Sequence, residues 1–221
     1  MKIIKIFNDE QLKHIRSLIE KIEFQSGDKS AHGLAKEAKN NSEAIPEGES
    51  YKELLPYIKN ILTKNDWLKR RFLPKIFSMP LINLYKAGDS YGRHYDSSHM
   101  TGESTSVRKD YSFTLMLSPL EEYDGGELEI EDNGLKHKVR LDAGDMVIYS
   151  STTIHSVMPV TKGERLAYVG WIASHVKDPL ALELLNAFEE MHLSLQKYEL
   201  SSDDQLSLSY VQNKLQHLLS D

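Results

Sequence analysis

The spacing of apolar residues changes twice along the 221-residue chain. From Asn8 to Ile22 they fall at Leu12, Ile15, Leu18, Ile19 and Ile22, three and four apart, as one buried face of an α-helix requires. Asn8 and Gln11 stand where a capping box would start that helix. A second stripe, Leu54, Leu55, Ile58, Ile61 and Leu62, predicts a helix around Tyr51 to Thr63. Between the two, FQSGDKSAHGLAKEAKNNSEA is small and polar and reads as loop or short irregular structure.

From Pro80 to Ser174 the period becomes two, with Gly, Asn and Asp separating short runs. The candidate strands are LINLYKA, YGRHYDS, DYSFTLML, ELEIED, KHKVRL, DMVIYS, IHSVMPV and RLAYVGWIAS. Asn133-Gly134, between ELEIED and KHKVRL, is the strongest hairpin signal. So many short strands in one segment predict a two-sheet jelly roll or a small barrel. After Asp178 the helical period returns through Leu182, Leu185 and Phe188, then through Leu208, Val211, Leu215 and Leu218, with Ser202 and Gln205 placed to cap the last helix. That last stripe packs on its own domain or, alternatively, on a second copy as a homodimer. The pattern describes an α+β chain with a helical support region at 1–79, a β core at 80–176 and a helical extension at 177–221.

Composition narrows the chemistry. Hydrophobic residues at 40% and charged residues at 27% are ordinary for a soluble globular protein. No apolar run reaches the roughly 20 residues of a spanning helix, and MKIIKIFNDEQL does not resemble a secretory signal, so a cytoplasmic location is expected and Asn40-Asn41-Ser42 carries no glycosylation meaning. The absence of cysteine excludes disulfides, thiolate zinc sites, iron–sulfur clusters and a cysteine nucleophile. Any metal site must therefore use His, Asp and Glu. With 33 acidic against 27 basic residues, neither nucleic acid nor an anionic membrane is an expected partner. The run Lys69, Arg70, Arg71 reads as a solvated helix end.

The stretch LYKAGDSYGRHYDSSHM holds the candidate site. Residues two apart on a strand share a face, so His94 and Asp96 can converge on one ion, and His155 can add a third ligand from a facing strand. Two histidines and a carboxylate leave positions open in the manner of non-haem Fe(II) oxygenases. Alone, His-x-Asp in a chain of nine histidines is a weak signal, and a hydrogen-bonded core histidine is the competing reading. Arg165 strengthens the case. An arginine near the inside of an apolar roll requires an anion, which is either a ligand carboxylate or a salt-bridge partner such as Asp145 or Glu164.

The order of SGDKSAHGLAKEAKNN, NLYKAGDSYGRHYD, RKDYSFTLMLSP, YDGGELEIED and LDAGDMVIYSSTTIHSVMPVTKGERLAYVGWIAS resembles the bacterial PKHD-type hydroxylases, Fe(II)/2-oxoglutarate-dependent dioxygenases of the prolyl/lysyl hydroxylase-like type. The resemblance spans most of the chain and is most specific from Gly144 to Arg165. It implies a double-stranded β-helix (jelly roll) core flanked by N-terminal and C-terminal helices. It implies that His94, Asp96 and His155 bind Fe(II), that Arg165 holds the distal carboxylate of 2-oxoglutarate, and that Tyr85 adds a hydroxyl to it unless it is core filler. Asp96 favours hydroxylation, since halogenases of the superfamily lack this carboxylate. The products would be a hydroxylated substrate, succinate and CO2, with L-ascorbate as reductant and no catalytic side chain beyond the metal centre.

Other positions carry weaker readings. Arg108, Asp110, Ser112 and Thr114 read first as structural support and second as pocket lining; Gly125, Gly126 and Gly144 read as turns or close approaches. His99 lies past the strand and is not an expected ligand, and His32 reads as a solvated loop residue or part of a cover over the site. FQSG stands where the family often has a tryptophan, and SSHMTGESTSV is a polar insertion; both leave the substrate open, whether small molecule or peptidyl. A cupin-like metalloenzyme without 2-oxoglutarate and a non-catalytic β-roll binding module are the alternatives.

Overall fold

The computed structural model describes residues 1–30, 38–78, 80–101, 106–132 and 134–220. They form two compact units, Met1–Thr63 with Phe77–Ala173, and Lys64–Ile76 with Ser174–Asp221. In chain order the elements are β1 (Lys2–Lys5), α1 (Asp9–Ile19), β2 (Phe24–Ser26), β3 (Lys39–Asn40), β4 (Ser42–Ala44), α2 (Glu49–Lys64), α3 (Asp66–Phe72), β5 (Pro74–Phe77), β6 (Leu81–Lys86), β7 (Ser90–His94), β8 (His99–Thr101), β9 (Ser106–Arg108) and β10 (Tyr111–Met116). They continue through β11 (Tyr123–Gly125), β12 (Leu128–Asp132), β13 (Leu135–Val139), β14 (Asp145–Ser150), β15 (His155–Val157), β16 (Val160–Ser174), α4 (Pro179–Leu195) and α5 (Ser202–Leu219).

In the first unit, α1 starts on the expected capping box: Gln11 N–H donates to the Asn8 side chain at 2.9 Å and Asn8 N–H donates to the Gln11 side chain at 3.0 Å. The helix buries Leu12, Ile15, Leu18 and Ile19, while α2 buries Leu54, Ile58 and Leu62. One antiparallel sheet runs β1-β14-β10-β16-β6-β4-β2 and the other β13-β12-β15-β7-β3. All eight expected strands are present. β1 to β4 were not expected as strands; at two to four residues, with Lys, Glu and Ser among them, they are too short to show a period. IHSVMPV contracts to His155–Val157 because Pro159 has no N–H to give a ladder, and β16 begins at Val160.

Alternation in β16 places Arg165, Ala167, Val169 and Trp171 on one face. Their partners in register are Tyr85 and Asn83 on β6 and Met116, Thr114 and Ser112 on β10. The inner faces meet in one cluster, with Tyr85, Met116, Val147, Tyr149 and Ala167 from the first sheet and Leu128, Ile130, Val139 and Val157 from the second. Each buried aliphatic side chain of this kind contributes about 1.5–3 kcal/mol. The result is an α+β protein with a jelly-roll core.

In the second unit, Asn65 caps α3 by accepting from Leu68 N–H at 2.9 Å. The basic run ends that helix in ion pairs: Lys69 with Asp66 at 3.2 Å, Arg70 with Glu189 at 3.5 Å, and Arg71 with Glu190. α4 buries Leu182 and Leu185. The last helix is capped by Ser201, one residue earlier than expected, through Asp204 N–H at 3.1 Å. Its half-buried face is Leu208, Gln212, Leu215 and Leu219, with His192 Nδ1 and Gln212 Oε1 2.9 Å apart. Val211 and Leu218, expected on the packed stripe, are 43% and 77% exposed. A polar Gln212 that hydrogen-bonds to α4 turns the face away from the apolar count. Among the described residues, no helix is long and apolar enough to cross a membrane.

Candidate active site

Strands β7 and β15 pair antiparallel with His94 directly opposite His155. Their ring centroids lie 4.2 Å apart. Asp96 is not on the strand, as the two-residue spacing suggests, but two positions beyond its end at His94. What brings it in is Ser112 of β10, buried completely, whose Oγ donates to Asp96 Oδ2 at 2.5 Å. The same carboxylate oxygen lies 3.9 Å from His155 Nε2. One ligand atom from each of His94, Asp96 and His155 falls within 4.8 Å of the others, the one such group among the described residues.

The imidazoles are oriented by backbone. His94 Nδ1 lies 2.8 Å from the Gly92 carbonyl and His155 Nδ1 lies 3.0 Å from the Thr153 carbonyl. A carbonyl can only accept, so both Nδ1 atoms carry the proton and both Nε2 lone pairs remain for an ion. Burial, followed by the neighbouring His155, lowers the His94 pKa to about 4, so its ring is neutral over the physiological range. Tyr91 stacks on the His94 ring at 3.6 Å between centroids and 16° between planes. Burial, then Asp96 and Glu43, raises the Tyr91 hydroxyl to about 12. Behind Tyr91 sits the Lys39 ammonium, 5.3 Å from its ring centroid, in a buried ion pair with Glu43. Tyr149 meets His155 edge-on at 5.1 Å and bonds to Thr114; burial keeps its hydroxyl protonated.

Arg165 is 2% exposed and stands opposite Tyr85 in the register of β16 and β6. Its guanidinium lies over the Tyr85 ring at 5.3 Å. The two carboxylates that could have neutralised it are engaged elsewhere: Asp145 with Lys5 at 3.6 Å and Glu164 with Lys86 at 3.1 Å. Among the described residues its buried Nε has no acceptor. Gly126 explains part of the arrangement. At φ 66°, a Cβ there would stand 2.8 Å from Arg165 Cδ, so a side chain would displace the arginine.

The remaining candidates separate clearly. His99 is exposed on β8, its Nδ1 3.0 Å from Ser98 Oγ, and is not in the triad. His32 lies outside the described residues. Arg108 Nε donates to Asp110 at 2.6 Å. Ser112 supports Asp96 and Thr114 supports Tyr149, in keeping with the first of their two expected readings. Tyr91 and Tyr149 were not singled out from sequence. For Tyr149 a signal existed, because it alternates with Val147 and so faces inward with the triad.

Residues 80–173 match the model of the 2OG-Fe(II) oxygenase superfamily. A PKHD-type hydroxylase of Hyphomonas neptunium is 33% identical over 99% of this chain and 98% of its own. One from Aliarcobacter butzleri is 34% identical, covering 97% of this chain and 96% of its own. Among solved structures, a prolyl hydroxylase of Trichoplax adhaerens, in complex with a hypoxia inducible factor peptide, superposes with a TM-score of 0.60 at 14% identity, over 78% of this chain and 83% of its own. The viral collagen prolyl hydroxylase of Paramecium Bursaria Chlorella virus-1 gives 0.53 at 20% identity, over 78% and 95%. These two likenesses show the fold, and the relatives that match end to end show the family: the chain belongs to the PKHD-type hydroxylases, which are Fe(II)- and 2-oxoglutarate-dependent dioxygenases.

Proposed function

We propose that His94 Nε2, His155 Nε2 and an Asp96 carboxylate oxygen hold the Fe(II), and that Arg165 anchors the distal carboxylate of 2-oxoglutarate. The reading is carried by the unpaired Arg165: a buried cation with its nearby carboxylates committed elsewhere fits a ligand anion. Two imidazoles and one carboxylate are a donor set that would hold Fe(II) and support oxygenase chemistry there. The iron with its keto acid supplies the oxidative chemistry, giving succinate, CO2 and a hydroxylated substrate.

The chain's own groups position and polarise. The Gly92 and Thr153 carbonyls fix both imidazole tautomers, and Ser112 fixes the rotamer of Asp96. Tyr85 packs its ring against the guanidinium, and burial keeps its hydroxyl protonated, able to donate to the cosubstrate carboxylate. Tyr91 and Tyr149 wall the imidazoles with aromatic surface. L-Ascorbate as reductant is part of the same proposal, as are a small-molecule or peptidyl substrate and work in the cytoplasm.

Succinate release from 2-oxoglutarate in air, with Fe(II) and ascorbate, tests the reading over a panel of metabolites and peptides. Wild-type protein is expected to release succinate and Asp96→Ala to release none above background. Equal release by both would refute the ligand assignment. A cupin-like site without keto acid would gain from 2-oxoglutarate binding that Arg165→Met leaves unchanged.

A further inference from the structure

Beside the triad, the inner face of the roll carries two donors that the described residues leave largely unused. Trp171 stands opposite Ser112 in the register of β16 and β10, on the face from which Ser112 reaches Asp96. Among the described residues its buried indole Nε1–H has no acceptor. Over the same indole, 3.8 Å from the ring centroid, lies the Lys109 ammonium. Lys109 is 9% exposed and donates to Ser97 Oγ at 3.1 Å, one use for three N–H groups. Among the described residues it forms no ion pair.

Both side chains stand on fixed backbone. Lys109 N–H donates to the Ser98 carbonyl at 2.9 Å and its own carbonyl accepts from Ser151 Oγ. Trp171 N–H donates to Ser78 Oγ at 3.2 Å, and its carbonyl accepts from Ser78 N–H at 2.9 Å. The pair is separate from the Arg165 anion site. Trp171 and Arg165 are six steps apart along β16, about 20 Å at roughly 3.3 Å per residue.

We propose that Lys109 and Trp171 form the anchor for the prime substrate and that this substrate presents a carboxylate to them. One oxygen would accept from the ammonium and the other from the indole N–H at the edge of the ring beneath it. A carboxylate suits the pair better than a neutral carbonyl, because a buried ammonium is offset fully only by an opposite charge. The inference rests on the dioxygenase reading and adds to it a substrate class: an acid with its carboxylate free.

The chain has two tryptophans, Trp67 and Trp171, so the indole N–H region of a ¹⁵N–¹H spectrum holds two signals, which Trp171→Phe assigns. Protein loaded with diamagnetic Zn(II) and saturated with 2-oxoglutarate is titrated with sodium acetate, acetamide or sodium chloride at matched ionic strength. Acetate is expected to move the Trp171 signal saturably and leave that of Trp67 in place. Acetamide is expected to need about ten-fold more, and Lys109→Met to weaken acetate by about ten-fold, or 1.4 kcal/mol. Lys109→Arg, which keeps the charge, is expected to retain the response. A Trp171 signal unmoved by acetate, moved equally by acetamide or chloride, or moved equally in Lys109→Met would overturn the proposal and leave the pair a packing contact. Calorimetry of 2-oxoglutarate keeps the two levels apart. If wild-type protein does not bind it, the dioxygenase reading fails, while the acetate titration still reports on the pair by itself.

Discussion

Replacing Arg165 with methionine is expected to move ligand affinity and ligand-free stability in opposite directions. The arginine is 2% exposed, its Nε has no acceptor among the described residues, and a favourable contact is the Tyr85 ring at 5.3 Å. Such a cation–π contact contributes about 0.5–2 kcal/mol. Exchanging buried charge for apolar side chain of similar volume is neutral or stabilising by about 1–4 kcal/mol. The ligand-free variant is therefore expected to equal the wild type or exceed it by up to about 2 kcal/mol in urea unfolding. With cosubstrate the sign reverses. Removing one partner of a buried charge pair costs about 3–5 kcal/mol, which is about two to three and a half decades in the Kd of 2-oxoglutarate. Calorimetry on Mn(II)-loaded protein measures that loss. A destabilised variant that binds 2-oxoglutarate normally would refute the reasoning, because Arg165 would then be a structural cation with an unseen partner.

Three further outcomes follow from the same geometry. Ser112→Ala removes the hydroxyl that holds Asp96 at 2.5 Å and is expected to weaken metal binding; outer-shell losses of this kind run to about 10–100-fold, measurable by competition with a chelator, and unchanged affinity would show that Asp96 holds its own rotamer. Gly126→Ala places a methyl 2.8 Å from Arg165 Cδ at a φ of 66°. It is expected to cost about 1–3 kcal/mol of stability and to raise the Kd of 2-oxoglutarate, whereas a change in stability alone would mean that Arg165 adapts. In metal-free protein, His94 has its pKa lowered from 6.5 to about 4 by burial and by His155. The unfolded chain then binds more protons in that window, so stability is complete above about pH 6.5 and is lost as pH falls toward 4, by at most roughly 3 kcal/mol. His94→Gln is expected to flatten that part of the urea-unfolding profile, and an unaltered slope would assign the loss to other groups.

Much of the site could be read from the chain because its parts repeat at fixed intervals. The period of two between Pro80 and Ser174 marks the strands, and His94, His155 and Arg165 sit on them where a face can be assigned. What was not legible lies between elements. Asp96 leaves its strand and is recovered by Ser112, a contact 16 residues away that no spacing announces. Tyr85 and Arg165 are 80 residues apart in the chain, and only the pairing of β6 with β16 sets them opposite. The short strands β2, β3 and β4 hide in a polar stretch, yet β3 and β4 carry the Lys39 and Glu43 pair behind Tyr91. In α5 the apolar count pointed to Val211 and Leu218, whereas the hydrogen bond from His192 to Gln212 selected a neighbouring face.

The central claim is that His94, Asp96 and His155 hold an iron on which 2-oxoglutarate chelates. Anaerobic addition of Fe(II) and 2-oxoglutarate to the purified protein, followed by visible absorption, tests it most directly. A weak charge-transfer band is expected with both together and with neither alone, and it is expected to vanish in the Asp96→Ala, His155→Ala double variant. No band in the wild type, or an undiminished band in that variant, would contradict the account.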